Sequence, residues 1–353
     1  MSLISLDGSA GESGGQILRT ALALSALTGQ AFEITRIRAR RSRPGLQPSH
    51  LAAVRAVGMA CAAKVSGAFD GSPDLRFEPG SISAGEFRME IGTAGATTLV
   101  LEAVLPVLGA ASSLSRVEMV GGTHVPLSPS YEYFARHWAS AVRGLGLVVR
   151  GQMGRAGFYP PGGGEVSAYV NPWPRPAASL DLAERGPLVG ITGVSGAARV
   201  KGGAAERQRD AARHVLWDRR RLETEWEVVE VSADSPGSFL YVEAVFETGR
   251  GAFAFLGQRG VSPETLGDRA ARRLLRFLED EEGAVDSRLA DQLVVPLVAG
   301  GGGGKVSTVE VTRHLESAAE VATRFGLPVL VWGRPGGPGG LEVGRLGTSG
   351  VLR

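Results

Sequence analysis

The chain opens with alternating apolar and polar positions, SLISLDG, the period of two expected of a half-buried strand. A Gly/Ser turn, GSAGESGG, follows. Gln16–Leu27 then carries apolar residues at helical spacing and stops at Gly29, a helix C-terminal signal. AFEITRIRA predicts the next strand, and after the Pro44-Gly45 turn a second helix runs from about Pro48 to Ala63. The order recurs. Arg88–Ile91 predicts a strand, GTAGAT a turn, Thr98–Ala110 an apolar helix, SRVEMVGG a strand and YEYFARHWASAVRGLG a helix. A weaker third echo runs through DQLVVPLVAG, a strand KVSTVEV and a helix HLESAAEVATRFG. A repeated β-turn-helix unit predicts an α+β domain built from similar modules.

Between Glu184 and Asp280 the texture changes. Ala205–Leu222 and Glu264–Leu278 read as charged amphipathic helices, with TEWEVVEVS and LYVEAVFET as strands between them. This predicts a compact α/β insert at 184–280 within a larger domain formed by 1–183 and 281–353. Past Gly333 the Gly/Pro-rich GRPGGPGG predicts irregular chain until a final strand at LEVGRL.

A chain of 353 residues buries roughly three-quarters of its unfolded surface, so its core needs neither disulfide nor metal. The single cysteine, Cys61, excludes an internal disulfide, and without CxxC, HExxH or a Cys/His cluster the spacing excludes a structural zinc site. The longest apolar stretch is interrupted by Glu102 and Pro106, and no signal peptide is legible; a cytoplasmic protein with no membrane segment is expected. The net charge is only +2, yet every basic residue except Lys64, Lys201 and Lys305 is Arg. Arg binds phosphate in bidentate fashion and keeps its charge when partly buried. The plain reading of that bias is genomic base composition. Within it, RIRARRSRPG gathers Arg36, Arg38, Arg40, Arg41 and Arg43 at a strand end or outward loop, either a solvated face or a phosphate-binding rim.

Gly300–Lys305 (GGGGGK) fails as a P-loop, because Ala299 stands where the first Gly is needed and Val306 where Ser/Thr is needed; a close-packed turn is expected. Gly8, Gly11 and Gly14 give GxxGxxG rather than the dinucleotide fingerprint. A helix N-terminus behind such a turn still offers backbone N–H groups to an anion. Glu12 in that turn has two readings, a helix-capping carboxylate or a ligand for a divalent metal bridging phosphates. Of five histidines, His137 and His214 read as surface residues on charged helices, while His314 starts the last helix, where an imidazole is biased toward its neutral, nucleophilic form.

Several segments in order, LDGSAGESGGQILRTAL, IRARRSRPGL with His50-Leu51, GTAGATTLVLEAVLP, GGTHVPLSP, GFYPPGGG, LADQLVVPLVAG and His314-Leu315, resemble the RNA 3′-terminal phosphate cyclases. The resemblance covers most of the chain outside the insert. It implies a large domain of repeated β/α units, similar to a domain of the enolpyruvyl transferases, with a thioredoxin-like insert. The implied activity is ATP-dependent conversion of an RNA 3′-phosphate to a 2′,3′-cyclic phosphodiester through a histidine–AMP intermediate on His314. It further implies Glu12 as ligand of Mg²⁺ or Mn²⁺, with Gln16 and Arg19 beside it on the first helix. Arg38, Arg41, Arg43 and His50 would form a positive rim for the RNA terminus. Glu102, Arg288, Leu289, Ala290, Asp291 and Gln292 would line the nucleotide pocket, with Pro129 and Phe253 packing on adenine.

Three positions depart from the family pattern. Glu102 stands where Gln is usual, Arg288 where an aromatic ring stacks on adenine, and Glu316-Ser317-Ala318 where Thr-Asn follows the His-Leu pair. An extra charge at Glu102 would either strengthen metal binding or be offset by an Arg, and a guanidinium can also stack on a base. A non-catalytic relative acting in ribosome assembly lacks the nucleophile present here as His314. An enolpyruvyl transferase would need two large domains, and a plain RNA-binding module leaves Glu12 and LADQ without a purpose. Oligomeric state is not legible.

Overall fold

The computed structural model describes residues 3–280 and 282–345. Strand β1 (Ile4–Asp7) leads into helix α1 (Gly15–Thr28), then β2 (Phe32–Thr35), α2 (Pro48–Ala60) and a hairpin of β3 (Lys64–Ser66) and β4 (Leu75–Glu78). The sheet order is β1-β2-β4-β3, with β1 and β2 parallel and the remaining pairs antiparallel. The second unit repeats this order with β5 (Glu86–Glu90), α3 (Thr97–Gly109) and β6 (Ser115–Gly121). A helix follows in which Tyr133–Trp138 are π-helical before it continues as α4 (Ala139–Arg143). Then come β7 (Val149–Arg155) and β8 (Gly164–Val170). Its sheet, β5-β6-β8-β7, has the same parallel and antiparallel pairings.

The third unit starts at β9 (Leu180–Leu182), earlier than its sequence echo, because another segment interrupts it. That segment holds β10 (Leu188–Ala198), α5 (Ala204–Arg220), β11 (Glu225–Glu230), β12 (Gly237–Phe246), β13 (Arg250–Leu256) and α6 (Pro263–Glu279). The unit then resumes with α7 (Ser287–Gly300), β14 (Gly304–Thr308), α8 (Arg313–Arg324), β15 (Val329–Gly333) and β16 (Gly339–Val343). Its sheet pairs β9 with β14 in parallel, then β14-β16-β15 antiparallel, so the three units share one topology. The GRPGGPGG stretch is therefore the turn of the β15–β16 hairpin rather than irregular chain. Leu346, the last residue of LEVGRL, lies outside the described residues.

The first helix of each unit is apolar nearly all round, and α1, α3 and α7 pack against one another at the centre, as such helices must. The interrupting segment forms its own sheet, β11-β10-β12-β13, covered by α5 and α6 around a separate core of Leu216, Leu240, Val242, Ala270 and Leu274. This β-α-β-β-β-α order with one parallel and two antiparallel pairings is the expected thioredoxin-like arrangement. It is tied to the third unit through Val285, which bridges Arg250 on one side and Thr308 on the other. The Gly300–Lys305 run is close-packed: a side chain at Gly302 would meet the Ala177 carbonyl at 2.1 Å.

Candidate active site

Helix N-termini converge at one place. His314 is the second residue of α8, whose N-cap Thr312 accepts from the Leu315 N–H at 3.0 Å. The His314 Nε2 lies 3.1 Å from the Glu12 carboxylate in the turn before α1. That turn is held on α8 at Gly11, whose φ of +51° suits glycine and where any side chain would meet Ser317 Oγ at 2.2 Å. Ser317, one of the departures from the family pattern, thus fits the turn it faces. Helix α1 has Gly14 at its N-cap and no side-chain cap, so its first N–H groups remain open to an anion.

Arg19 and Gln16, one turn into α1, are joined at 3.0 Å. Arg41 reaches Glu12 at 3.4 Å and the Ser13 carbonyl at 3.4 Å. Arg38 folds back on the Arg43 carbonyl at 3.2 Å, while Arg43 stays exposed. His50 differs from the expected positive rim. It is buried, and its Nδ1 accepts the Gln47 N–H at 3.1 Å, closing a capping box on α2. Burial, then Arg19 and Arg38, depress its pKa to about 3, so it is a neutral ring with its proton on Nε2. It serves as a donor beside α1, not a charge. A side chain at Gly15 would meet that Nε2 at 2.4 Å and Arg19 Nη1 at 2.8 Å. Gly15→Ala is therefore expected to displace both groups and lower kcat/KM about 10²-fold, measured by steady-state kinetics on the folded variant.

His314 itself is half-buried. Burial lowers its pKa, and Arg19, Arg41 and Arg288 lower it further against the opposing pull of Glu12. The neutral imidazole that a nucleophile needs is the form present at neutral pH.

On α7, Asp291 accepts from the Thr312 hydroxyl at 2.5 Å, which ties the N-cap of α8 to α7. Burial pushes Asp291 up to about 8. Gln292 donates to both oxygens of Glu102 at 2.9 Å, and its Oε1 has no partner, leaving an acceptor for a ligand. Burial raises Glu102 to about 8 against Arg19, Arg288 and the Gln292 bond. That favours the protonated form near neutrality, in which Glu102 adds no negative charge to the pocket. As pH rises through about 8 it ionises and repels polyphosphate. KM for ATP is expected to rise about tenfold between pH 7 and 9, the effect of one close like charge in a partly screened site, and Glu102→Gln to remove most of that rise; KM against pH checks this.

Leu289 and Ala290 do not line a pocket. Both are fully buried in the core, and their N–H groups are committed to Asp286. Pro129 is fixed by its carbonyl, which accepts from Thr98 at 2.9 Å, and Arg288 reaches the Ser128 carbonyl at 3.4 Å while lying over the Tyr133 ring. Phe253, on β13, carries the Arg273 guanidinium over its ring at 4.7 Å.

The expectation of a surface His137 is wrong, whereas His214 is exposed as expected. His137 is fully buried, with Nδ1 2.7 Å from Glu243 of β12 and Nε2 2.7 Å from Asp286, the N-cap of α7. Asp286 also accepts from Tyr133 Oη at 2.8 Å and the Ala252 N–H at 3.2 Å, and Glu243 from Tyr241 and Arg250. Helical spacing puts His137 on the same face as Tyr133 and Trp138, both buried, so the ring belongs to the apolar stripe despite its charged neighbours. The Asp286-Ser287 step before an apolar run was the legible trace of this cap. A second buried pair, His124 and Glu132 at 2.7 Å, stacks on Phe239 of the insert at 4.2 Å.

Among the described residues no helix is long and apolar enough to cross a membrane, and no three His, Cys, Asp or Glu side chains cluster as a metal site. Residues 10–328 match the family description "RNA 3′-terminal phosphate cyclase". A protein of that name from Ralstonia nicotianae is 43% identical over 332 residues, 93% of this chain and 92% of the relative. Another from Pseudomonas fluorescens is 41% identical over 94% of this chain and 95% of its own. One from Staphylothermus marinus is 38% identical over 99% of this chain and 100% of its own. The EPSP synthase of Acinetobacter baumannii overlays at a TM-score of 0.30 and 11% identity, covering 97% of this chain and 65% of its own, too loose a likeness to argue from. The chain belongs to the RNA 3′-terminal phosphate cyclase family.

Proposed function

We propose that this protein converts an RNA 3′-terminal phosphate into a 2′,3′-cyclic phosphodiester at the expense of ATP, with His314 as the nucleophile. The observation that carries the reading is the neutral His314 ring at the start of α8, beside Glu12 and within the field of Arg19, Arg41 and Arg288. In the first step a His314 nitrogen bonds to the α-phosphorus of ATP and pyrophosphate leaves. An oxygen of the RNA 3′-phosphate then takes the adenylyl group from the ring. Finally the adjacent 2′-hydroxyl attacks the activated 3′-phosphorus, and AMP departs. Each transfer builds charge on phosphate oxygens, which fixed guanidinium and N–H groups stabilise without a strong base.

In this reading the open N-terminus of α1, with Arg19 and Gln16, holds ATP phosphates. Pro129, Arg288, Asp291 and the free Gln292 acceptor frame the adenosine. Arg38, Arg41, Arg43 and the His50 Nε2–H receive the RNA terminus. Residues 1–183 and 281–353 form the catalytic domain, and 184–280 the inserted one. Glu12 is a lone carboxylate facing the nucleophile. That suits Mg²⁺ or Mn²⁺, which a single carboxylate can hold together with substrate phosphates, supplying charge neutralisation to the triphosphate.

The test is a 5′-labelled oligoribonucleotide with a 3′-phosphate, incubated with ATP and Mg²⁺ or Mn²⁺. The end is expected to become resistant to phosphatase, with one AMP formed per end. An end that stays phosphatase-sensitive with both metals contradicts the proposal.

A further inference from the structure

A cleft of about 540 Å³ lies between α6, β13 and the start of α7. One wall is the α6 face carrying Arg269, Arg272, Arg273 and Arg276, spaced i, i+3, i+4 and i+7; Phe253 and Phe255 of β13 form another. Like charges at i, i+4 repel on a helix, so this face costs stability unless an anion meets it. Arg272 is paired with Asp268 at 2.7 Å, but among the described residues no carboxylate is within ion-pair distance of Arg269 or Arg276. Both are exposed, while Arg273 is half-buried over Phe253. The one acid on the cleft wall, Asp286, is already matched to His137, Tyr133 and two backbone N–H groups. Arg288 lines the cleft where α7 begins, and one turn further on Asp291 is bonded to Thr312, the N-cap of the helix that carries His314, so the cleft lies one helical turn from the residue that holds the nucleophile's helix.

Spaced cations along a groove with aromatic faces between them are the physical requirements for holding single-stranded nucleic acid. The cations track the phosphates, and the rings and guanidinium planes stack on any base. We propose that this cleft is a second RNA site, binding the strand a few nucleotides upstream of the 3′-phosphate. The α6 arginines hold its phosphates, and Phe255 lies against its bases, while the Phe253 and Arg288 end of the cleft is left to the adenosine. This inference rests on the cyclase reading for its substrate and adds a length dependence to it.

The test compares the wild type with the double variant Arg269→Ser/Arg276→Ser, two exposed residues outside the reacting centre. KM for a 20-nucleotide RNA 3′-phosphate is expected to rise about tenfold, and the slope of log affinity against log salt to fall by about 1.4, roughly 0.7 for each lost phosphate contact. KM for a trinucleotide 3′-phosphate and for ATP in self-adenylylation should stay unchanged, and Arg269→Lys/Arg276→Lys should retain most of the long-substrate affinity. Equal KM for the 20-mer in wild type and Ser variant overturns the proposal. So does a rise in KM for ATP, which would assign the cleft to the nucleotide. If the wild type cyclises no RNA, the cyclase reading fails separately. Fluorescence anisotropy of an unphosphorylated single-stranded 20-mer still reads the cleft, and an unchanged Kd in the Ser variant overturns it.

Discussion

His137→Ala is expected to destabilise the protein by about 3–5 kcal/mol, because it strands two buried carboxylates that the imidazolium now joins. Glu243 belongs to the insert sheet and Asp286 caps α7, so the ring links the insert to the helix that carries Asp291 and Gln292. Both ring nitrogens face carboxylate oxygens, which requires both to carry protons. Burial opposes that charge, but Asp286 and Glu243 together hold the His137 pKa above its ordinary 6.5. The His137 contribution is thus fully present below pH 6.5 and is lost as pH rises through the higher folded-state value. Glu243 and Asp286 are held below their ordinary 4.5 and 3.8 despite burial, chiefly by His137, so their contributions are present above those values and lost as pH falls through the depressed ones. Urea unfolding of wild type and His137→Ala at pH 6 measures the difference. A loss below 1 kcal/mol would show that the network is not under strain when its centre is removed. Repeating the titration toward alkaline pH should narrow the gap between the two proteins.

His314→Asn should lower the rate of cyclisation by about 10⁴–10⁶-fold, the scale on which removing a covalent nucleophile acts when the surrounding binding groups stay in place. Asn keeps the polarity and much of the volume, and the α8 N-cap at Thr312 does not depend on the ring. ATP binding measured by calorimetry should therefore persist while turnover disappears. Loss of both together would mean that the substitution disturbs the fold of the turn at Glu12 rather than the chemistry.

The parts of the molecule that declare themselves in the sequence are the local ones. The Gly turn before α1, Glu12 within it, the arginine tract after β2 and His314 at a helix start all depend on neighbours only a few residues away. Strand β10 is not legible in its pattern, because Gly193 and Gly196 interrupt it. The structure shows why they are there: a side chain at Gly193 would meet Trp226 at 2.2 Å, and one at Gly196 would meet Phe239 at 2.3 Å. An aromatic ring crossing a strand leaves no local trace. The His137 network was hidden for a different reason. Its partners lie 106 and 149 residues away, so nothing near His137 in the chain shows that a buried imidazole would be paired there. The third repeat was legible only from α7 onward, since the insert separates β9 from the rest of its unit.

The most direct test of the account is covalent. The protein is incubated with α-³²P-ATP and Mg²⁺ or Mn²⁺, without RNA, and run on a denaturing gel beside His314→Ala. A labelled band that is acid-labile and base-stable in the wild type and missing in the variant is the predicted result, and peptide mapping should place the adenylyl group on His314. Absence of label in the wild type with both metals, or label that survives in His314→Ala, would contradict it.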